Sequence, residues 1–197
     1  MNIYDISQEL FSCVVFPGDP APKKEMMLQI AKGDICNLTT LSMCAHNGTH
    51  VDAPYHFLEN GKTIDEVDLH KFIGYAYVAE HEGSLGAEDA KEILRRARQA
   101  DREAAERILI KGKATLTLEG ARVFAEAGIS LFGNESQTVG PEDAPAKVHL
   151  EMLDKEIVLL EGIRLSEVPE GTYLLNAAPI NLGGADGAPC RAVLIAL

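Results

Sequence analysis

The chain has 197 residues, of which 46% are hydrophobic, and its 18 Lys and Arg against 30 Asp and Glu give a formal charge of −12. This size and composition predict one globular domain, residues 1–197, and exclude a disordered chain. The acidic balance argues against a nucleic-acid partner, because an acidic surface repels phosphates.

The sequence contains no recognisable export or membrane signal. The N-terminal residues 1–5 lack a basic stretch followed by an apolar one, and no apolar run is long enough to cross a bilayer. The four cysteines form no C-x-x-C pair. We therefore expect a cytoplasmic protein with reduced thiols and no membrane partner.

The first half of the chain is predicted to be mainly strand. A short strand covers residues 3–6, and two longer ones at 25–30 and 36–43 flank the turn signal Lys32-Gly33-Asp34. The second of these longer strands leads directly into the most informative segment, residues 45–57. A strand that ends at such a loop can hold reactive side chains in place.

Residues 45–57 bring together His46, His50, Asp52 and His56, at relative positions i, i+4, i+6 and i+10. Imidazole and carboxylate groups suit zinc, manganese or iron(II). The Asn47-Gly48 pair favours a turn, and Pro54 disfavours a helix. We predict a turn followed by an extended piece in which His50 and Asp52 point the same way, with His46 reaching them across the turn.

A single histidine is more often a hydrogen-bonded surface or core residue than a ligand. The turn, the extended register and the ligand types agree here, so we favour a metal site on a loop. Cys44, two residues before His46, could be a soft ligand, but a small buried residue is the simpler interpretation.

Three helices are predicted: one begins at residue 86, one runs from Thr117 to Gly128, and one from Ala144 to Asp154. Short apolar strands alternate with them at 108–111, 129–132 and 157–160. A glycine-rich loop, Leu182–Pro189, precedes a final strand at 192–197. Together these patterns predict the α/β class, as a single mixed domain of about eight short strands and three helices.

Glu161 directly follows an apolar strand, where an unpaired buried charge would be costly. It either faces water at the strand end or is compensated by a cation. From the strand alone we would favour water.

The pattern H-x-G-T-H-x-D-x-P-x-H at 46–56 resembles the metal-binding signature of the putative cyclase family, which includes the bacterial-type kynurenine formamidases (arylformamidases). Further similarity lies in Phe16-Pro17-Gly18-Asp19-Pro20, in the spacing of His149 and Glu161, and in residues 183–194. The similarity thus spans nearly the whole chain.

This resemblance implies a swivelling β/β/α fold and a homodimer or homotetramer. It also implies a divalent metal site, with His46, His50 and Asp52 holding one ion and Asp52, His149 and Glu161 a second. Two zinc ions are expected, with manganese possible. His56 would be the general acid/base, although it could instead be a further ligand.

The implied activity is hydrolysis of an amide bond in a small molecule, such as release of formate from N-formyl-L-kynurenine in tryptophan catabolism. Hydrolysis of a cyclic amide, imide or lactone, and a non-catalytic metal-binding role, are the alternatives. Phe16 is either a core residue or, as the resemblance implies, a wall of the substrate pocket, where many relatives have tryptophan. Relatives usually have aspartate at Glu135, so we transfer no role to it.

Overall fold

The computed structural model describes residues 1–196, which hold thirteen strands and three α-helices. The strands are β1 (Asn2–Asp5), β2 (Lys23–Leu28), β3 (Leu38–Ser42), β4 (His50–Asp52), β5 (Ile73–Glu80), β6 (Gly83–Leu85), β7 (Arg107–Lys111), β8 (Ala114–Leu116), β9 (Leu131–Asn134), β10 (Val158–Glu161), β11 (Gly171–Asn176), β12 (Gly187–Pro189) and β13 (Val193–Ala196). The helices are α1 (Ala87–Ala100), α2 (Leu118–Ala127) and α3 (Ala146–Leu153).

Nine of the strands form one mixed sheet in the order β1-β13-β11-β5-β7-β9-β10-β4-β12. Strands β5, β7, β9 and β10 are parallel, whereas β4 is antiparallel to both of its neighbours. The parallel centre is buried on both faces. In β7, Ile108 and Ile110 pack with the helices, and Leu109 packs into a second core on the opposite face. Burial on both faces explains why these strands are continuous apolar runs in the sequence.

The predicted α/β class, with a mixed sheet and three helices, is confirmed. The strand count is higher than predicted because β6, β8 and β12 have only three residues each, too few to show a periodicity. The prediction of a loop over the whole of Leu182–Pro189 is wrong at its end, where β12 pairs with β4. Leu197, in the predicted final strand, lies outside the described residues.

The helix ends follow the predicted capping signals. The Thr117 side chain accepts a hydrogen bond from the Gly120 N–H at the start of α2, and Gly128 ends this helix with a positive φ of 68°. Helix α1 buries the predicted apolar stripe of Ala90, Ile93, Leu94 and Ala97. Within residues 1–196, none of the helices has the length and apolar character required to cross a membrane.

Strands β2 and β3 pair with each other and stand apart from the large sheet. The turn predicted between them ends in Gly33, with φ of 96°. Apolar side chains in the hairpin remain largely exposed, including Met27 at 53% and Leu41 at 59%. An isolated two-stranded hairpin is at best marginally stable in water, so this segment lacks the packing that supports the rest of the fold.

Candidate metal centre

The turn predicted at Asn47-Gly48 is formed by local hydrogen bonds. The Asn47 side chain accepts from the Cys44 N–H at 2.9 Å, and Gly48 adopts a positive φ of 68° that favours glycine. The chain then enters β4, where Val51 packs into the core on one face while His50 and Asp52 lie on the other. The local geometry is therefore the predicted turn followed by an extended piece.

The second half of the site is built by β10 and α3. In the antiparallel register Glu161 lies opposite His50, and Leu159 lies opposite Asp52. Glu161 is 2% exposed, so it does not face water at the strand end. Helix α3 adds His149, which is 3% exposed. Residues about a hundred positions apart in the sequence thus meet on one face of the sheet.

Five side chains now face one another: His46, His50, Asp52, His149 and Glu161. Their nitrogen and oxygen atoms lie at separations typical of ligands around a shared ion. The His46 Nδ1 to Asp52 Oδ1 distance is 2.9 Å, and His50 Nε2 to Asp52 Oδ1 is 3.4 Å. On the other side His149 Nε2 is 3.6 Å from Asp52 Oδ2 and 3.2 Å from Glu161 Oε1. Two tetrahedral ligands of zinc would be roughly 3.3 Å apart, given bonds of about 2.0–2.1 Å. Asp52 therefore contributes one carboxylate oxygen to a group with His46 and His50, and the other oxygen to a group with His149 and Glu161.

The remaining ring nitrogens of the buried histidines are held by backbone carbonyls. His50 Nδ1 is 3.0 Å from the Gly48 carbonyl oxygen, and His149 Nδ1 is 2.9 Å from the Pro145 carbonyl oxygen. Each Nδ1–H donates to its carbonyl, which leaves Nε2 as the free donor atom facing the carboxylates. Such hydrogen bonds are the usual way in which a protein orients a metal-binding imidazole.

The electrostatics of the site stabilise positive charge. Burial lowers the pKa of His46, but hydrogen bonds with Asp186 and Asp52 outweigh it and raise the pKa from 6.5 to about 11. Burial likewise opposes charge on His50, yet Asp52 and Glu161 raise its pKa to about 9. Burial disfavours the charged form of Asp52, but His46 and His50 hold the pKa of this carboxyl well below its ordinary value.

A buried carboxylate oxygen without a partner indicates that the site fits a cation. Asp52 Oδ2 is fully buried and has no hydrogen-bond partner among the described residues. A buried carboxylate oxygen without a partner is strongly disfavoured unless a cation compensates it. Together with three imidazoles and a second carboxylate, this donor set fits a divalent ion.

His56 lies beside this donor set and not within its buried part. Pro54 opens the short turn that carries it, which fixes the chain between Asp52 and His56. The His56 ring stacks on His46 with centroids 4.0 Å apart, and its Nδ1 is 3.1 Å from Asp186 Oδ2. Asp186 was not predicted as a site residue, because the glycine-rich segment that contains it is predicted only as a loop.

A cavity of about 250 Å³ opens over the site, and its lining includes His46, His149 and the two aromatic residues Phe16 and Phe57. Phe16 is half-buried and lies in the wall of this cavity rather than in either hydrophobic core. Phe57 stacks on the His149 ring with centroids 4.6 Å apart. The cavity thus combines polar groups at its base with aromatic walls.

Two further residues of interest lie outside the donor set. The Glu135 carboxylate accepts hydrogen bonds from the N–H groups of Gly112 at 2.7 Å and Leu165 at 2.9 Å, so it joins three backbone segments. Cys44 Sγ is 3.9 Å from Asp19 Oδ2. Within residues 1–196, none of the clusters of possible metal ligands includes Cys44.

The family model described as Putative cyclase matches residues 4–141. This chain belongs to that family. The kynurenine formamidase of Salinibacter ruber is 32% identical to it, covering 98% of this chain and 97% of the relative. The kynurenine formamidase of Bacillus cytotoxicus is 31% identical, with 96% and 95% covered.

Solved structures of this family share the fold. A potential metal-dependent hydrolase with cyclase activity superposes with a TM-score of 0.79 at 23% identity, covering 98% of this chain and 96% of the other. An isatin hydrolase bound to the product analogue thioisatinate gives a TM-score of 0.81 at 17% identity, covering 98% and 91%. Within the family, this chain is a metal-dependent amide hydrolase of the class acting on carbon–nitrogen bonds other than peptide bonds.

Proposed function

We propose that this cyclase-family enzyme hydrolyses the formamide of a small aryl substrate, with N-formyl-L-kynurenine as the best candidate. The observation that carries the proposal is that four ligand-type side chains and His56 line one cavity, while the fifth, Asp52, lies within 3.6 Å of three of the four. The two kynurenine formamidase relatives cover nearly the whole chain, which supports the same substrate class. The aromatic side chains of Phe16 and Phe57 offer flat surfaces for an aryl ring.

We propose that His46, His50 and Asp52 hold one divalent ion and that Asp52, His149 and Glu161 hold a second. When bound, such ions lower the pKa of water to roughly 7 and polarise a carbonyl oxygen. Zinc is the proposed ion, and manganese is compatible with the same oxygen and nitrogen donors. Elemental analysis of the freshly purified protein measures both the identity and the number of ions.

His56 is the proposed proton carrier. Its ring lines the cavity, and within residues 1–196 its only side-chain hydrogen bond joins Nδ1 to Asp186, which leaves Nε2 available. In the reaction, water adds through its oxygen to the formyl carbon and the carbon–nitrogen bond breaks. His56 takes a proton from the attacking water and gives one to the leaving aryl nitrogen, which departs as the free amine. The other product, formic acid, releases its remaining proton to solvent as formate. Such transfer contributes roughly 10²–10⁴-fold to the rate.

The test of catalysis is His56→Ala, with His70→Ala as the matched control because His70 is exposed and outside the site. We expect His56→Ala to lower kcat by roughly 10²–10⁴-fold while the metal content is retained. Full activity of this variant would contradict the role of His56. A wild-type protein that binds metal but hydrolyses none of the candidate substrates would favour a non-catalytic metal-binding protein.

Hydrolysis of a cyclic amide, imide or lactone on the same site is the second candidate. The similarity in fold to isatin hydrolases gives it a specific basis. Comparing kcat/KM for N-formyl-L-kynurenine, isatin and an aryl lactone on the zinc-loaded enzyme separates the two candidates. The aryl formamide proposal requires the formyl substrate to be preferred by at least about tenfold, which corresponds to roughly 1.4 kcal/mol.

We further propose that the enzyme is a cytoplasmic homodimer or homotetramer in which the β2–β3 hairpin is covered by a second copy. The exposed apolar side chains of Met27 and Leu41 need such a cover in water. Light scattering gives the mass directly. A monomeric wild type would contradict this proposal, and Leu41→Lys is expected to weaken the assembly.

A further inference from the structure

Asp186 is held next to the candidate metal centre by backbone pairing. It immediately precedes β12, in which Gly187 lies opposite Asp52 of β4. The Asp186 carbonyl oxygen accepts a hydrogen bond from the Ala53 N–H at 2.9 Å. The backbone of Asp186 is therefore fixed against the strand that carries two proposed ligands, although its side chain is 42% exposed.

A single carboxylate oxygen of Asp186 contacts two histidines. Asp186 Oδ2 is 2.9 Å from His46 Nε2 and 3.1 Å from His56 Nδ1. The two rings stack with an angle of 29° between their planes, so both present a nitrogen edge to the same point. Because an ionised carboxylate only accepts hydrogen bonds, each ring must place its N–H on the nitrogen that faces Asp186.

This arrangement assigns a tautomer to each ring. With one proton held on Nε2 by Asp186, His46 binds an ion by giving up its other proton, the one on Nδ1, and that atom is the one 2.9 Å from Asp52 Oδ1. With its proton on Nδ1, His56 keeps Nε2 free as the basic atom on a ring that lines the cavity. The nitrogen fixed by Asp186 is thus, in both rings, the one not needed for metal binding or proton transfer.

The other ligand histidines support this interpretation. His50 and His149 each have the nitrogen remote from the donor set held by a backbone carbonyl. No backbone carbonyl among residues 1–196 holds a ring nitrogen of His46, and Asp186 occupies the equivalent position. The backbone next to Asp186 also packs directly on the ring, since a Cβ built on Gly187 would lie 2.8 Å from His46 Cε1.

We infer that Asp186 is a positioning residue that fixes, through one oxygen, the tautomers of a metal-binding histidine and of the proton-carrying histidine. The inference rests on the proposed function, because it takes His46 as a ligand and His56 as the acid/base. The competing possibility is that His46, His56 and Asp186 together bind an ion of their own.

The tautomers can be measured without any turnover. The chain has six histidines, so long-range proton–nitrogen NMR spectra of the zinc-loaded protein can be assigned by single substitutions. We expect the wild type to show Nε2–H in His46 and Nδ1–H in His56. In Asp186→Ala, His56 should shift toward the Nε2–H form, and Asp186→Asn, which keeps an oxygen acceptor, should restore the wild-type form in part. An unchanged His56 tautomer in Asp186→Ala overturns the inference.

Zinc affinity and kinetics provide the second measurement. Competition with a chelator should show zinc binding about 10–100-fold weaker in Asp186→Ala, as expected for loss of a residue that orients a ligand. At saturating zinc, kcat should fall by about tenfold or more with KM nearly unchanged. In a His56→Ala background, Asp186→Ala should lower kcat no further, while the loss of zinc affinity should persist. An equal loss of kcat in both backgrounds would overturn the inference.

Asp65→Ala is the matched control, because the Asp65 carboxylate accepts from the Gly184 N–H in the same loop without contacting a histidine. If it reproduces the tautomer change, loop packing and not the Asp186 hydrogen bond is responsible, and the inference fails. One zinc ion fewer per chain in Asp186→Ala, with His56 tautomers unchanged, would indicate an ion held by Asp186. A wild type that lacks hydrolase activity refutes the proposed function alone, since the NMR and zinc measurements still decide the role of Asp186.

Discussion

The two sides of the site differ in burial and in the elements that carry them. His50, Asp52, His149 and Glu161, which we call the buried side, are at most 3% exposed and lie on strands or a helix. His46, His56 and Asp186, the open side, have side chains that are 12%, 28% and 42% exposed and lie on loops or a short turn.

This difference in burial matches two proposed tasks, holding metal ligands on the buried side and carrying protons on the open side. Ligands on regular elements are held by backbone pairing and packing, so they can keep donor atoms at fixed separations. A residue that carries protons must exchange them with substrate or solvent, which requires exposure. His46 belongs to both sides, since one of its nitrogens faces the buried Asp52 and the other the open Asp186.

The largest effect is expected from a change in the buried side at Asp52. Asp52→Asn keeps the shape but removes the charge that both donor groups share. We expect loss of bound metal and a fall in kcat of at least about a thousandfold, because the ions supply several kcal/mol of transition-state stabilisation. The exposed Asp154→Asn is the control. Retention of both ions by Asp52→Asn would contradict the bridging role.

Metal binding should depend on pH through one histidine of each side, His50 and His46. The raised pKa of His50, about 9, and of His46, about 11, mean that both rings are protonated in the metal-free protein at neutral pH. A cation must displace these protons, so affinity should rise between pH 6 and pH 8 by roughly a hundredfold for each proton released. Competition with a chelator measures the metal affinity at each pH, and an affinity that does not change with pH would contradict the prediction.

The stability of the metal-free protein should change in the opposite direction. A histidine whose pKa is raised by folding stabilises the fold fully below its unfolded value of 6.5, and this contribution is lost as the pH rises through the folded value. Thermal unfolding in the presence of a chelator should therefore occur at progressively lower temperature as the pH rises from 6.5 to beyond 9. A midpoint that rises over this range would contradict the assigned histidine pairs.

A carboxylate outside both sides should affect stability alone. Glu135→Ala leaves the N–H groups of Gly112 and Leu165 without their acceptor. We expect the free energy of unfolding to fall by about 1–3 kcal/mol, with kcat at 25 °C unchanged. Glu135→Gln, which keeps one acceptor oxygen, should lose less. A large loss of kcat in a folded Glu135→Gln variant would place this residue in the catalytic site.

The smallest expected effect belongs to the open wall of the cavity. Phe16→Leu removes the aromatic face but keeps an apolar side chain, so KM for an aryl substrate should rise by no more than about tenfold, the equivalent of roughly 0.5–1.5 kcal/mol. We expect kcat to remain unchanged, because this contact does not change between ground and transition states. An unchanged KM would remove Phe16 from the substrate pocket.

The site residues between 46 and 56 were easier to predict from the sequence than those contributed by later segments. The turn signal and period of two placed His50 and Asp52 together, and apolar runs marked β7 and β10. The strand before Glu161 favoured a position facing water, His149 carries no local signal, and only the resemblance connected these two residues to the cluster. Their burial in the structure now provides a physical reason for the association.

Asp186 could not be predicted from local sequence. Its contact with His46 spans 140 positions, and the Gly-Ala-Pro strand beside it has no periodic pattern. That strand exists because β4 offers it a free edge, which is a property of the folded sheet. The exposed hairpin posed the same difficulty, since a strand pattern does not reveal whether anything covers either face.

The position of β4 between β10 and β12 has a consequence for when the site can form during translation. Three of the proposed ligands have been synthesised by residue 52, but both strands that flank β4 are made from residues beyond 157. An incomplete chain can therefore present His46, His50 and Asp52 only as a flexible trio with weak and unselective affinity. We therefore expect selective metal binding only at the end of synthesis, and a nascent chain that stalls before β12 would leave these side chains open to whichever ion is most abundant.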